Sequence, residues 1–376
     1  MLINNEYQIC NFCVMDTSAS EIEFNSLGQC NFCTSAIETT SKIIKEDYFK
    51  IWASDIKSRR NKTYENYHGV IGLSGGLDSS FLLHKLVEAG IRPLVVHVDA
   101  GWNSQEASSN IYKLIDKLEL TLETIVIDWN LMRNLQLAFL NSGIKNQDIP
   151  QDYIFFSTLY DFAENYGLKN IFLGSNFSTE SILPKSWGEG AIDYKILRSI
   201  NDKFGTDQSI QLKKIDPLSL LINTVVKRKY VIHRPLNYMA YSKQNALEIL
   251  KKEYEWKDYS GKHKESIFTA YFQDVYLPKR FGICKAKAHI SSLVVNGELT
   301  RDQALDLLKA NMIDPIQAQR IRLQIANKLE ISTHELDSFE NLAIQSKKNY
   351  RQSNLRNILV ISLTKILIII RTFFKK

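Results

Sequence analysis

The chain has 376 residues, 44% hydrophobic and 11% aromatic, enough apolar material for a substantial core and more than one structural unit, which excludes a disordered polymer. Its 47 Lys and Arg exceed its 41 Asp and Glu by a formal charge of +6, too little to argue for nucleic acid, though a phosphate-bearing partner would suit it. Residues 1–7 carry no basic segment leading into an apolar run, so no secretory signal is read there and a cytoplasmic setting is expected.

Four of the five cysteines form two Cys-x-x-Cys pairs, Cys10 with Cys13 and Cys30 with Cys33, sixteen residues apart. In a reducing compartment such pairs hold metal more often than disulfides, and four thiolates at this spacing predict a closed structural Zn2+ site. Residues 1–40 have too few apolar residues for an independent core, so the metal is expected to staple this module. Residues 14–29 contain no Lys or Arg, and no nucleic-acid partner is expected for it.

A helix is expected over 42–57. Short β-branched runs at 68–73, 94–98, 124–127 and 170–173 then alternate with helical periodicity at 79–89, 104–118 and 131–140, which predicts an α/β fold with a doubly wound parallel sheet over 41–235. Beyond it, 242–254, 266–276, 285–293 and 301–310 read as helices, giving a helical region at 236–340 that would face substrate or partner. The tail, 341–376, holds an apolar stretch at 358–370 interrupted by Ser362, Thr364 and Lys365, too short to span a bilayer. It reads as a docked helix or as one resting on a membrane surface beside Arg371, Lys375 and Lys376.

The most informative stretch is Ser74-Gly75-Gly76-Leu77-Asp78-Ser79-Ser80, between the first strand and its helix. Adjacent glycines let backbone N–H groups approach a ligand, and the helix start adds unpaired donors and a positive dipole end. The hydroxyls of Ser74, Ser79 and Ser80 are further donors, and Asp78 is a candidate for holding the Mg2+ that accompanies ATP. A bare diglycine turn would be ordinary; the strand before and helix after it make a phosphate site the better reading. The Gly-Lys-Ser/Thr ending of a Walker loop is missing, as is the dinucleotide Gly-x-Gly-x-x-Gly pattern. Asp99 ends the second strand, and Gly174, Ser175 and Asn176 follow the fourth. Ligands bind outside such strand ends, although Asp99 could equally cap a loop.

Ser-Gly-Gly-x-Asp-Ser resembles the PP-loop of the ATP pyrophosphatase superfamily, which splits ATP into AMP and pyrophosphate to activate a substrate oxygen. The resemblance implies an adenine nucleotide alpha hydrolase-like fold. Over most of the chain a narrower one holds, to the N-acetyl sugar amidotransferases of bacterial surface polysaccharide and nonulosonic acid biosynthesis. It is carried by Cys10-Asn-Phe-Cys-Val-Met-Asp-Thr17, Asp99-Ala-Gly-Trp-Asn-Ser104, Asn146-Gln-Asp-Ile-Pro-Gln-Asp152 and Gly174-Ser-Asn-Phe-Ser-Thr-Glu-Ser181. Ser186-Trp-Gly188, Gly261-Lys-His-Lys-Glu-Ser266, Phe272-Gln273, Leu277-Pro278 and Lys287-Ala-His289 continue it, and it fades after about residue 312. Cys284 departs from that pattern, which carries an acidic residue there, and reads as a small buried apolar residue.

The resemblance implies attack of an acetamido oxygen on the α-phosphate of ATP. An O-adenylyl imidate forms, and ammonia expels AMP to leave an acetamidino group. This route needs positioning and charge stabilisation but no protein nucleophile, which suits a sequence without a credible triad. Leu2 argues against an N-terminal cysteine amidohydrolase, so ammonia is expected from separate glutaminase and cyclase-like subunits, and an N-acetylated sugar or sugar nucleotide is the expected substrate. Lys262 and His263 are candidates for neutralising pyrophosphate or sugar phosphates, or form a solvated basic loop. Glu265 reads as a helix cap. Of Asp148 and Asp152, flanking Pro150, one would be a general base or metal ligand and the other a cap, with Asp152 preferred for catalysis. Asn176, Glu180 and Trp187 are the candidate substrate contacts, with Trp187 equally at home in a core. A tRNA thiolation enzyme and a nucleotide-binding scaffold without turnover remain as alternatives; the first would need thiols beyond Cys284.

Overall fold

The computed structural model describes residues 7–43, 48–59, 67–188, 190–206, 212–259 and 264–353. Lys262, His263 and the apolar stretch 358–370 lie outside them. Five parallel strands, β1 (Gly69–Gly72), β2 (Pro93–Asp99), β3 (Leu122–Val126), β4 (Asn170–Phe172) and β5 (Val231–His233), form one sheet in the order β3-β2-β1-β4-β5. The central strands are near-continuous apolar runs because both faces are covered. Val70, Leu94, Val96 and Ile171 point into one core, whereas Ile71, Val95 and Phe172 point into the other, as the two-residue side-chain period requires.

The N-terminal helices are α1 (Asn31–Ile43), α2 (Tyr48–Ser58), α3 (Leu77–Glu88), α4 (Gln105–Lys117), α5 (Trp129–Ser142), α6 (Ile149–Asn165), α7 (Phe177–Glu180), α8 (Tyr194–Phe204) and α9 (Pro217–Leu221). Those that follow are α10 (Lys243–Tyr254), α11 (Ile267–Tyr271), α12 (Leu277–Phe281), α13 (Lys285–Val295), α14 (Arg301–Ala310), α15 (Pro315–Leu329) and α16 (Thr333–Asn341). A single π-helical turn, Phe272–Tyr276, joins α11 to α12. Residues of α2, α3, α4 and α10 cover one face of the sheet, and α5, α6 and α8 the other.

The helix expected over 42–57 corresponds chiefly to α2; additional to it is α1, which begins at Asn31 inside the cysteine module. Its Thr39 and Thr40 are poor helix formers, and their hydroxyls donate back to the Ser35 and Ala36 carbonyls at 2.8 Å each, which masks the helical signal in sequence. The module does not stand apart: Cys10, Cys13, Cys30 and Cys33 share a core with Ala288, Ile290 and Val294 of α13. Among the described residues no helix is long and apolar enough to cross a membrane.

Candidate active site

β1 lies between β2 and β4, where strand order reverses, so the crevice beyond its carboxyl end is where an open α/β sheet takes a ligand. The chain leaves β1 and turns through Leu73, Ser74, Gly75 and Gly76 into α3. Gly75 has φ +81°, and a Cβ there would stand 2.8 Å from the Ala107 carbonyl oxygen of α4, so the loop closes only with glycine. Gly76 is the N-cap of α3 and supplies no capping side chain, which leaves the first N–H groups of the helix for an anion. Ser74 Oγ accepts from the Gly76 N–H at 3.2 Å and lies 3.1 Å from Ser79 Oγ. The Tyr259 hydroxyl donates to the Gly75 carbonyl at 2.6 Å and fixes the back of the loop.

Asp78 in the first turn of α3 accepts from the hydroxyls of Tyr241 and, at 3.2 Å, Thr179. Burial and then the Asp78 charge push the Tyr241 hydroxyl well above its ordinary pKa, so it remains a donor at neutral pH. Glu265 is not the cap of α11. That position belongs to Ser266, whose Oγ accepts from Thr269 N–H at 3.2 Å. Glu265 instead turns to the loop, with Oε1 3.5 Å from Ser74 Oγ and 2.9 Å from where a Gly76 Cβ would lie. His97 Nδ1 donates to the Leu73 carbonyl at 2.8 Å and its Nε2 accepts from Asn103 at 3.0 Å, tying β2 to the loop and fixing one tautomer.

A cavity of about 1090 Å³ opens from this loop. Ser74, Gly76, Asp78 and Ser79 line one end together with Gly174, Ser175 and Glu180. Gly174 makes room for α3, since a Cβ there would lie 2.9 Å from Ser79 N, and Ser175 Oγ accepts from Arg234 at 3.1 Å. The other wall comes from α6, α11 and α13–α15. Asp148 and Asp152, one turn apart at the start of α6, both line it. Asp148 is 7% exposed and accepts from Gln151 and Thr269 at 3.2 Å each, whereas Asp152 faces the open cavity. Both carboxyls are raised above the usual range, by burial first and, for Asp148, by the Asp152 charge, while Lys285 at the start of α13 pulls both down. Two carboxyls so placed hold on to a proton near neutrality and can exchange it with a substrate.

Besides Gly75, which shapes the turn from behind, four sequence candidates lie outside this cavity lining. Asp99 accepts from the Gly101 N–H at 2.8 Å and caps the turn after β2. Ser80 is fully buried on the inner face of α3. Asn176, 3% exposed, caps α7 by accepting from Thr179 N–H at 3.0 Å. Trp187, 2% exposed, packs in the main core. Conversely, Tyr241, Tyr259 and Lys285 escape a reading by motif, because polar residues distant in sequence carry no spacing signal until the fold gathers them, and Thr179 lies in a quoted motif without being singled out.

The four cysteine sulfurs lie within 4.8 Å of one another and are all buried. Cys10 to Cys33 and Cys13 to Cys30 measure 3.9 Å, and Cys30 to Cys33 measures 3.5 Å. A disulfide needs about 2.05 Å; four sulfurs about 2.3 Å from a central ion stand roughly 3.8 Å apart. The set therefore fits one tetrahedral metal ion. Backbone N–H groups of Phe12, Met15 and Cys30 point at the sulfurs from 3.2 to 3.4 Å, which favours thiolates.

The sheet order and the Ser-Gly-Gly-x-Asp-Ser turn define a PP-loop α/β fold with a four-cysteine module and a helical C-terminal region. Residues 265–364 match the family described as LPS biosynthesis protein WbpG-like, C-terminal domain. No curated protein matches the chain. Among solved structures it is similar to NMN synthetase from Francisella tularensis, at 16% identity over 83% of this chain and 98% of that one, TM-score 0.34. NH3-dependent NAD synthetase from Campylobacter jejuni matches at 14% identity, 84% and 98% coverage and TM-score 0.31. U34-tRNA thiolase NcsA from Methanococcus maripaludis, with its [4Fe-4S] cluster, matches at 13% identity, 83% and 93% coverage and TM-score 0.34. Overlaps of this size leave the site to be argued from this chain's own residues.

Proposed function

We propose that this chain is an AMP-forming, ATP-dependent N-acetyl sugar amidotransferase of lipopolysaccharide biosynthesis. One observation carries the reading: the phosphate loop, the acid pair of α6 and the wall built by the WbpG-like segment enclose the same cavity. The loop and the start of α3 hold the β and γ phosphates, leaving the α-phosphorus turned toward that wall. Mg2+ neutralises phosphate charge when ATP is bound, and Glu265, beside Ser74 and Gly76, is the carboxylate placed to share it, while Asp78 is held by Tyr241 and Thr179. The acetamido oxygen of the sugar attacks the α-phosphorus and pyrophosphate leaves. Ammonia then adds to the imidate carbon, the Asp148–Asp152 pair takes up the proton it sheds, and AMP departs. The cysteines hold Zn2+, ammonia comes from separate glutaminase and cyclase-like subunits, and the enzyme works in the cytoplasm.

The test is incubation with ATP, Mg2+, ammonium and a panel of N-acetylated sugar nucleotides. AMP, pyrophosphate and a product in which NH replaces O are expected. Formation of ADP, or AMP release with no such change in sugar mass, would refute the proposal, and sulfur transfer to tRNA would favour a thiolation enzyme instead.

A further inference from the structure

From Asn341 to Lys376 the sequence carries eight Lys and Arg and no Asp or Glu. The last described residues of this stretch are pinned along α8. Tyr350 packs on Phe204 with ring centroids 6.3 Å apart, and the Arg351 N–H donates to Ser199 Oγ at 3.1 Å. Ser353 donates from its N–H and its hydroxyl to Asp193, the N-cap of α8, at 3.0 and 3.1 Å. The segment therefore runs antiparallel to α8 and reaches Ser353 at the start of that helix. Ile196, Leu197 and Ile200 of α8 are buried in the core, so Lys195, Arg198, Ser199, Asp202 and Lys203 share its outer face. Lys347, Lys348 and Arg351 in the neighbouring segment bring that side of the molecule to six cations, against Asp202, which pairs with Arg198 at 2.7 Å. Lys195, Lys203, Lys348 and Arg351 are exposed, and Ile344 in the same segment is 61% exposed.

We propose that this cationic face, together with residues 354–376, is a docking surface for a bilayer that contains anionic lipid. Residues 358–370 hold ten aliphatic side chains in thirteen positions, too few to cross the hydrocarbon core but enough to enter the boundary between headgroups and acyl chains. Interfacial binding of this kind adds buried apolar area to the attraction of Lys and Arg for anionic headgroups. Here the two components adjoin, because Ser353 is held at α8 five residues before Ile358. A nucleic acid would satisfy the cations yet leave the aliphatic run in water. Folding back along α8 would set that run against a polar outer face. A bilayer removes both costs. The surface is independent of the cavity and of the reaction proposed for it, and it adds a lipid partner.

The experiment floats the full chain with vesicles of phosphatidylcholine, alone or mixed with phosphatidylglycerol. The wild type is expected to float with the anionic vesicles, more weakly with the neutral ones, and less as salt is raised. Lys195→Gln, Lys348→Gln and Arg351→Gln combined should lower partition onto the anionic vesicles by about tenfold or more, with a melting curve like that of the wild type to report an intact fold. Ile366→Ser with Ile369→Ser should weaken binding to both kinds of vesicle. The proposal is overturned if the wild type does not float, floats equally with both compositions, or keeps its partition in the triple variant. It is equally overturned if duplex RNA binds the wild type and the isoleucine variant alike and strips both from anionic vesicles, which would assign the face to nucleic acid.

Discussion

Gly75 and Gly76 adjoin, yet they constrain the phosphate loop for different reasons. At Gly75 the backbone is left-handed and a Cβ would meet a backbone carbonyl, so Gly75→Ala should cost at least about 1–2 kcal/mol in a thermal melt as well as abolishing AMP formation. Gly76 is extended, at φ −69° and ψ 160°, and its added methyl would meet side-chain ends alone, Glu265 Oε1 at 2.9 Å and Ser74 Oγ at 3.2 Å, with no backbone atom in the way. Gly76→Ala should therefore keep stability within about 0.5 kcal/mol of wild type while lowering nucleotide turnover. Equal melting losses would show that the loop is not held as described. Asp152 makes a third case. Its pKa is raised on folding, so the wild type loses stability as pH climbs from the unfolded carboxylate range, about 3.9, through the folded value. Asp152→Asn lacks that loss. Melting curves from pH 4 to 8 should show the variant gaining on the wild type as pH rises, and a constant offset would contradict a raised Asp152 carboxyl. The glycines and Asp152 could be singled out from sequence because a tight turn and a Pro-led helix start have local signatures. The true position of Glu265 could not, since a carboxylate before a Ser-led helix looks like a cap until tertiary packing turns it toward Ser74.

The elements that sequence revealed are those whose period persists. Strands β1 to β4 and helices α3, α4, α10, α13 and α14 fall where apolar spacing predicts them, and the parallel sheet follows from their alternation. Strand β5 is as short as β4, but β4 runs on into apolar Leu173 whereas in β5 only Val231 and Ile232 are aliphatic before His233 and Arg234, so no strand signal shows there. Helix α15 escaped notice although Asp314 caps it and Pro315 occupies its first turn, because only Ile325, Ala326 and Leu329 of its residues are buried and the apolar stripe is faint. What holds α15 in place is polar. Glu340 of α16, 3% exposed, accepts from Tyr271 at 2.8 Å and from Lys279 at 2.6 Å, with Arg322 Nε 3.3 Å away. Removing one partner of a buried charged cluster strands the others, a loss of about 3–5 kcal/mol. Glu340→Gln should accordingly destabilise the chain by about that much and, by loosening the part of the cavity wall that α15 carries, raise KM for the acceptor more than KM for ATP. A variant that melts like wild type, or that loses ATP and acceptor affinity equally, would break the link between this cluster and the cavity wall.

At the scale of the whole molecule, the cysteine module is placed to govern more than its own fold. Val14 N–H donates to Ser291 Oγ at 3.2 Å, Arg301 Nε donates to the Cys10 carbonyl at 3.0 Å, and buried Asp16 pairs with Lys287. Two of these contacts fall on α13, which also sends Lys285 and His289 into the cavity wall. A structural zinc ion contributes about 10–16 kcal/mol of apparent binding free energy, comparable with the roughly 5–15 kcal/mol that stabilises a typical domain. If the proposed ion fills the site, much of the module's stability rests on it, and because the module's core runs directly into α13, loss of the ion would weaken that helix as well. Chelation, or Cys33→Ser, should lower the melting temperature of the whole chain in a single transition. The phosphate loop draws its geometry from β1, α3 and α4 instead. At temperatures where metal-free protein still folds, acceptor affinity should thus fall before affinity for an ATP analogue, with zinc content and calorimetry measured on the same samples. Two separate melting transitions would mean that the shared core does not couple the module to α13, as would acceptor binding that survives metal removal intact.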